Sequence, residues 1–318
     1  MTTPHAAIAP GTAVKFRDPI LTAKGERRAA VSLGALRTLW FNTGTLCNLT
    51  CGHCYIESSP QNDALVYLSA AEAAGYLDEI RREELPVEEI GFTGGEPFMN
   101  PDMLAMLADT LGRGFRALVL TNAMRPMMRH GERLAGMNAA HPGLLTLRVS
   151  LDHYSPGLHD RERGIGTFEK TIRGMEWLVA NGFHLHVAGR AAFGQEPEAA
   201  LREGYARLFA ARGIPLDAGD PVALMLFPEM DPEADVPEIT EACWGILEKS
   251  PDSVMCASSR MVVKRRGAGD PSVLACTLLA YDPQFELGAT LAEASRPVPL
   301  NHPHCARFCV LGGAACSR

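Results

Sequence analysis

Three cysteines stand within eight positions of the chain, in the stretch CNLTCGHCY. They are Cys47, Cys51 and Cys54, spaced C-x3-C-x2-C, and they directly follow the apolar run 38–42. Thiolates this close together can bind one metal centre. A zinc ion would need a fourth ligand, such as His53, whereas a four-iron cube would take the three cysteines and leave one iron open. The spacing favours an iron–sulfur cluster, with zinc as the alternative.

A glycine-rich turn with one acidic residue follows the next apolar run, 88–93. Its residues are Gly94, Gly95, Glu96 and Pro97. Glycine lets a ligand approach the backbone closely, and a carboxylate can pair with a cation that would otherwise be buried without a counter-charge. The stretch therefore indicates a cofactor site. The alternative is a plain turn between a strand and a helix.

Five more cysteines lie near the end of the sequence. They are Cys256, Cys276, Cys305, Cys309 and Cys316, and the residues between the first two form a predicted hairpin. Five thiols suit one four-ligand cluster with one cysteine to spare, and a zinc ribbon-like site is the alternative. Because chain ends are often loosely held, we predict that Cys316 is the spare ligand, with Cys305 as the alternative.

Alternating strand and helix patterns must position these groups. Six β-rich runs occur at 38–42, 88–93, 116–121, 144–151, 183–189 and 222–227, with helical patterns between them. Strands separated by helices pair in parallel, and the carboxyl ends of such strands carry the chemistry of α/β folds. The pattern predicts an α/β fold and fits either an open doubly wound sheet or a barrel.

Capping residues mark the starts of two of these helices. Ser69 and Glu72 form a capping box that predicts a helix through about Glu84. Asn100 and Pro101 predict the first residues of the next helix.

The alternation stops near residue 250, after which cysteines dominate. We therefore divide the chain into an N-terminal extended or hairpin segment over 1–36, a core over 37–250 and a cysteine-rich domain over 251–318.

The composition limits the possible partners and location. The chain has 318 residues and a formal net charge of −7, which provides no basic surface for nucleic acid and little for an anionic membrane. The sequence contains no apolar run suited to a signal peptide or a spanning helix. We therefore predict a cytoplasmic protein, in which nine cysteines are better explained as metal ligands than as disulfides.

The two N-terminal motifs together resemble the radical S-adenosylmethionine (radical SAM) superfamily. In that family three loop cysteines hold a [4Fe-4S] cluster whose open iron binds S-adenosylmethionine (SAM). Reduction cleaves SAM to a 5′-deoxyadenosyl radical, which abstracts hydrogen from a substrate. The resemblance covers about 35–235 and implies a partial (β/α)6 TIM-like barrel. His53 departs from the family pattern, which usually has an aromatic residue before the third cysteine.

The late cysteines resemble, more weakly, a SPASM or twitch extension. That resemblance implies a second [4Fe-4S] cluster, an auxiliary one, with ligands drawn from Cys256, Cys276, Cys305, Cys309 and Cys316.

The resemblance also implies roles for residues at the strand ends. The predicted SAM-binding residues are Tyr55, Gly94, Gly95, Glu96, Pro97, Ser150 and Arg190. Glu96 would pair with the SAM ammonium group, Ser150 would contact a hydroxyl, and Arg190 would bind the carboxylate. Asn122 and Asp152 are candidates for substrate contacts. Glu229 and Asp231 either bind substrate or begin an acidic loop.

We therefore predict a radical SAM enzyme that acts on a small molecule or cofactor precursor and receives electrons from a flavodoxin or ferredoxin. One alternative changes the substrate to a ribosomal peptide. Only about 36 residues precede the first predicted core strand, too few for a typical leader-binding domain, so that alternative requires a separate partner protein. A second alternative is a non-catalytic iron–sulfur or zinc protein on a relic barrel. The intact Glu96 and the three loop cysteines oppose it.

Overall fold

The computed structural model describes residues 14–191, 196–228 and 235–313. Three candidate site residues, Glu229, Asp231 and Cys316, lie outside these ranges. The strands are β1 (Ala30–Val31), β2 (Thr38–Asn42), β3 (Glu89–Thr93), β4 (Arg116–Thr121), β5 (Leu145–Ser150), β6 (His184–Arg190), β7 (Leu224–Phe227), β8 (Ser259–Val263), β9 (Ser272–Leu274), β10 (Glu286–Gly288) and β11 (Val298–Pro299).

Helices connect most of the strands. The α-helices are α1 (Ala70–Arg82), α2 (Met103–Gly112), α3 (Arg125–Met128), α4 (Gly131–Ala140), α5 (Pro156–Arg163), α6 (Thr167–Ala180), α7 (Glu198–Arg212) and α8 (Cys243–Ile246). Short 3-10 turns span Pro97–Met99, Pro251–Ser253, Met255–Ala257, Pro283–Phe285 and Glu293–Ser295, and a π-helix spans Cys305–Leu311. Within the described ranges, no helix combines the length and the apolar character needed to cross a membrane.

Six parallel strands form the centre of the structure. Strands β2 to β7 pair with one another in chain order, each parallel to the next. Their bounds lie close to the six predicted β-rich runs. The prediction of an α/β fold is confirmed, and all six strands present their carboxyl ends at the same edge of the sheet.

The sheet extends beyond the six predicted core strands. Strand β8 pairs in parallel with the free edge of β2, and β9 and β10 add two antiparallel strands, giving a mixed sheet in the order β10-β9-β8-β2-β3-β4-β5-β6-β7. Strands β8 and β9 are the hairpin that the sequence predicts between Cys256 and Cys276. The sheet therefore continues across residue 250, and the division of the chain into domains there stays a prediction.

The capping signal before α1 is confirmed. The Ser69 side chain accepts a hydrogen bond from the Glu72 backbone, and the Glu72 carboxylate accepts one from the Ser69 N–H at 2.9 Å. The helix ends at Arg82, slightly before the predicted end at Glu84.

The predicted start of α2 at Asn100 was wrong. A 3-10 turn comes first, and α2 begins at Met103 with Asp102 at the N-cap. The Asn100 Oδ1 accepts the Asp102 N–H at 2.8 Å, and its side-chain amide also donates to the carbonyl oxygens of Thr43 and Leu68 at 2.9 and 2.8 Å. Asn100 therefore ties the turn after β3 to the loop that leads into the three cysteines.

An indole ring lies between the strands just below their carboxyl ends. Trp40 of β2 is 1% exposed and stands beside Gly91 of β3 in the parallel register. A Cβ atom on Gly91 would lie 2.3 Å from the Trp40 ring, so any larger residue would displace the ring. Trp40 thereby forms part of the wall of the cavity described next.

Candidate active site

One cavity at the carboxyl ends of the parallel strands brings together most of the predicted site residues. Those that line it are Cys47, Cys51, Cys54, Tyr55, Gly94, Gly95, Asn122, Ser150, Asp152 and Arg190. The adjacent Glu96 and Pro97 are buried and do not form part of its lining. The individual roles of these residues stay predictions. Together they place thiols, a carboxylate and a guanidinium around one cavity.

The cysteine loop is anchored to two other parts of the structure. Its first cysteine, Cys47, donates its backbone N–H to the Ser59 carbonyl at 3.1 Å, which closes the loop on itself. Gly52 donates to the Glu162 carbonyl at 2.9 Å, and His53 Nδ1 lies 2.6 Å from Glu162 Oε2. The last turn of α5 therefore supports the middle of the loop through both backbone and side chain.

The loop thiols occupy a buried environment with backbone donors directed at two of them. The N–H groups of Leu49 and Ser58 donate to the sulfur atoms of Cys47 and Cys54 at 3.4 and 3.3 Å. Burial raises the pKa of Cys47 to about 12 and also raises the pKa of Cys51. A metal must therefore displace the thiol protons. Three soft sulfur donors, with N–H groups facing two of them, fit an iron–sulfur cluster.

The two glycines after β3 are needed for the packing of one loop on another. Gly94 has φ +134°, and a Cβ atom there would lie 2.5 Å from the Gly44 carbonyl oxygen. A Cβ atom on Gly95 would lie 2.2 Å from the Leu46 carbonyl oxygen. The sequence suggested that these glycines make room for a ligand. Although both line the cavity, their close contacts are with the backbone that leads into Cys47.

Glu96 joins the end of β3 to the end of β4. Its carboxylate accepts hydrogen bonds from Thr121 Oγ1 at 2.8 Å and from the backbone N–H of Asn122 at 2.9 Å. A weaker bond comes from the Phe98 N–H at 3.3 Å. Burial raises the pKa of Glu96 to about 7, and these hydrogen bonds oppose that rise. The pairing of Glu96 with a SAM ammonium group stays a prediction.

Asp152 is held by a partly buried arginine from α5. Arg163 donates from Nε and Nη2 to the two Asp152 oxygens at 2.8 and 2.9 Å, a bidentate pair. Burial acts to raise the pKa of Asp152, but the Arg163 charge and hydrogen bonds outweigh it, so the pKa lies below its usual range. Asp152 therefore presents an ionised carboxylate whose oxygens are both already engaged.

Arg190 connects β6 to the cysteine loop. Its Nη1 donates to the His53 carbonyl at 3.2 Å, and its guanidinium carbon lies 5.9 Å from the centre of the Tyr55 ring. The Arg190 Nε atom is buried and has no hydrogen-bond partner among the described residues. Because Arg190 lines the cavity, it retains a donor for an acceptor group bound there.

Several cavity residues were missed by the sequence interpretation. They include Trp40 and Ser58, and also Thr277 and Leu278 from the segment after β9. No local spacing points to the last two, since they lie more than two hundred positions beyond the cysteine loop. Glu162, which supports the cysteine loop through His53 and Gly52, was also missed.

A second, smaller cavity lies beneath the C-terminal segment. Four of the five late cysteines line it, namely Cys256, Cys276, Cys305 and Cys309. The remaining lining is apolar apart from His304, and Leu278 lies in the walls of both cavities. Burial, and then the charges of the other three thiols, raises the pKa of Cys305 well above its usual value. The four thiols are therefore close enough to interact electrostatically.

A further feature of the described residues is the spacing of their potential metal ligands. Across residues 14–191, 196–228 and 235–313, no three His, Cys, Asp or Glu side chains stand close enough to hold a metal ion as they are.

These features define a class of protein. The radical SAM superfamily domain matches residues 41–203, just over half of the chain, from the end of β2 into α7. The chain therefore belongs to the radical SAM superfamily, and it is an enzyme, as predicted. Membership implies a [4Fe-4S] cluster and SAM, and it implies an electron donor.

Two curated relatives share part of this sequence. The AdoMet-dependent heme synthase of Oleidesulfovibrio alaskensis is 31% identical over 157 residues, which are 48% of this chain and 38% of that protein. The mycofactocin maturase MftC of Mycobacterium ulcerans is 29% identical over 137 residues, 43% of this chain and 35% of that protein. The matched region thus covers well under half of the length of either relative.

A solved structure shares the fold over a longer span. SuiB of Streptococcus suis, in a crystal structure with S-adenosylmethionine bound, has a TM-score of 0.58 at 13% identity. The match covers 80% of this chain and 63% of SuiB.

Proposed function

We propose that this enzyme cleaves SAM reductively and uses the resulting 5′-deoxyadenosyl radical to abstract hydrogen from a small molecule or cofactor precursor. The observation that carries this proposal is the shared cavity, which the three loop cysteines line together with Gly94, Gly95, Ser150 and Arg190. The core of the proposed fold is a partial (β/α)6 barrel formed by β2 to β7 and their helices.

Different residues in and beside this cavity would bind the cluster and SAM. Cys47, Cys51 and Cys54 would hold the [4Fe-4S] cluster, which supplies the electron that cleaves bound SAM. Arg190 would bind the SAM carboxylate through its buried donor, and Glu96 would carry the counter-charge to the ammonium group. Ser150, Tyr55, Gly94, Gly95 and Pro97 would complete the SAM site.

The substrate would bind on the remaining side of the cavity. Asn122 and Asp152 line this cavity, as does the Thr277–Leu278 segment. Because this segment adds a wall from the C-terminal part of the chain, the site is bounded as a small-molecule site usually is.

The late cysteines would hold a second [4Fe-4S] cluster of the SPASM or twitch type. Four thiols around one apolar cavity match the four ligands of a complete cluster. Such a cluster has no open iron, so it would relay electrons or brace the fold. Cys316 would be the unused thiol. A flavodoxin or ferredoxin would supply electrons in the cytoplasm.

SAM cleavage tests the proposal directly. Anaerobically reconstituted protein with dithionite and SAM should form 5′-deoxyadenosine even without a substrate. Changing Cys47, Cys51 and Cys54 to Ala should abolish this product, whereas Cys243→Ala should not, because Cys243 lines neither cavity. Undiminished cleavage in the triple variant would overturn the assignment.

A peptide substrate is the second candidate. The observation that favours it is the similarity to mycofactocin maturase MftC, whose name describes maturation. Hydrogen abstraction from a peptide supplied with the reconstituted enzyme, detected by deuterium transfer into 5′-deoxyadenosine, would favour this candidate over the small-molecule one.

A further inference from the structure

A buried arginine stands next to the late cysteines. Arg260 lies on β8 and is 1% exposed. Its Nε donates to the Ala294 carbonyl at 2.8 Å, and its Nη1 donates to the carbonyls of Cys256 and Ser259 at 2.6 and 2.7 Å. Its Nη2 is buried and has no hydrogen-bond partner among the described residues. The guanidinium is therefore fixed in place and one of its nitrogens is left unpaired.

The positive charge of Arg260 has no counter-ion within the described chain. No carboxylate of residues 14–191, 196–228 or 235–313 lies within 4.0 Å of it. Two other arginines differ, because the buried Arg28 pairs with Glu238 and the partly buried Arg163 pairs with Asp152. Burial lowers the pKa of Arg260 only to about 10, so it is still a cation at neutral pH. An unpaired buried charge is costly unless something compensates it.

Cys256 is the late cysteine whose backbone contacts this charge. Its carbonyl oxygen accepts the 2.6 Å hydrogen bond from Arg260 Nη1, which fixes the guanidinium beside that cysteine. Cys256 lines the second cavity with Cys276, Cys305 and Cys309. Four thiolates around a cluster carry a net negative charge, and the described lining of that cavity supplies no Lys or Arg to balance it.

We propose that Arg260 is the counter-charge of the late four-cysteine centre and that it raises the reduction potential of the cluster held there. This inference rests on the auxiliary cluster proposed above. One-electron reduction adds one negative charge to the cluster. A fixed cation nearby therefore stabilises the reduced state more than the oxidised state.

The test uses full-length protein in which Cys47, Cys51 and Cys54 are changed to Ala, so that only the late cluster contributes. Arg260→Gln removes the charge, and Arg260→Lys keeps it while losing the guanidinium fork. We expect Arg260→Gln to lower the equilibrium constant for cluster reduction about tenfold or more, which is about 59 mV for one electron. Redox titration followed by electron paramagnetic resonance measures the potential. Arg260→Lys, which keeps the charge, should retain most of the wild-type potential.

A matched control is Arg265→Gln on the same hairpin. Its guanidinium already pairs with Glu286 at 2.8 Å, so this variant should leave the potential unchanged. One outcome is that Arg260→Gln loses iron while Arg260→Lys retains it. In that case the iron content, and not the potential, shows that the cluster needs the positive charge. If both variants lose iron, the hydrogen bonds matter and not the charge, and the inference is overturned.

The remaining outcomes separate this inference from the proposed function. Iron in every variant with equal potentials would overturn the role of Arg260 and leave the auxiliary cluster intact. A triple variant that binds zinc or no metal would overturn the auxiliary cluster itself, and the role of Arg260 with it.

Discussion

The two cysteine sites of this protein differ in how the chain assembles them and in what surrounds them. The loop site draws three thiols from eight consecutive positions and places them among charged groups, including Asp152, Arg163 and Arg190. The late site draws four thiols from three separate segments into an almost wholly apolar cavity. Three ligands in a polar cavity leave one iron position for an outside molecule, whereas four ligands in an apolar cavity close the centre.

The largest expected effect is the loss of the late cluster when one of its four ligands is removed. Changing Cys256, Cys276, Cys305 or Cys309 singly to Ala should remove the iron of the late cluster, because an incomplete thiolate set leaves one iron open in an apolar cavity. Iron analysis in the background that lacks the loop cysteines measures this.

Cys316→Ala is the control for that series, because we predict Cys316 as the spare thiol. The comparison fails if Cys316→Ala loses the late iron while Cys305→Ala keeps it.

The loop site should also lose stability when one of its charge pairs is broken. Asp152→Asn leaves the Arg163 charge without its carboxylate, and removing one partner of a buried pair costs about 3–5 kcal/mol of unfolding free energy. The exposed pair of Arg27 with Glu241 is the control, and Glu241→Gln should cost about 0–1 kcal/mol. Denaturant unfolding of both variants checks this. Equal losses of unfolding free energy would show that the Asp152–Arg163 pair contributes no more to stability than the exposed Arg27–Glu241 pair.

A smaller effect is expected at Glu96, whose charge would act on the outside molecule. Glu96→Gln keeps the shape and removes the charge, so the affinity for SAM should fall by roughly 1.5–3 kcal/mol, about ten- to hundred-fold. Calorimetry on the cluster-loaded protein measures this, and the optical spectrum of the cluster should not change. Equal SAM affinity in the variant and the wild type would place the counter-charge elsewhere.

The pH dependence of SAM binding sharpens the same prediction. The pKa of Glu96 is raised to about 7 in the folded protein, from an ordinary value of 4.5. SAM affinity should therefore increase up to about pH 7 and then level off, since the ionised carboxylate binds the ammonium group. The free energy of unfolding has the opposite trend. The folded state retains a proton that the unfolded state releases, so this group's contribution falls as pH rises from about 4.5 to about 7. Glu96→Gln should remove both trends.

The sequence was most informative where the relevant residues are neighbours in the chain. The spacing of Cys47, Cys51 and Cys54 and the stretch GGEP predicted two loops, and both lie at strand ends of the predicted α/β fold. Periodicity predicted the strands because hydrophobic runs of this length are a local property.

The sequence was less informative where a residue's role depends on a distant segment. Asn100 looked like a helix cap, and its Oδ1 accepts the Asp102 N–H, but its amide also donates to carbonyls of two remote segments. Thr277 and Leu278 form part of the cavity only because β8 joins the far edge of β2. The unpaired charge of Arg260 could not be predicted either, since a lone arginine in a β-rich run is usually a surface residue.

The position of Leu278 in the walls of both cavities has a thermodynamic consequence. Cys276, a proposed ligand of the late centre, lies two residues before this side chain. Any ligand that shifts Leu278 in one cavity reshapes the other. Occupancy of the two cavities would then be coupled, and coupling is reciprocal. If a metal in the late cavity changes the affinity for a molecule in the first cavity by some factor, that molecule changes the affinity for the late metal by the same factor.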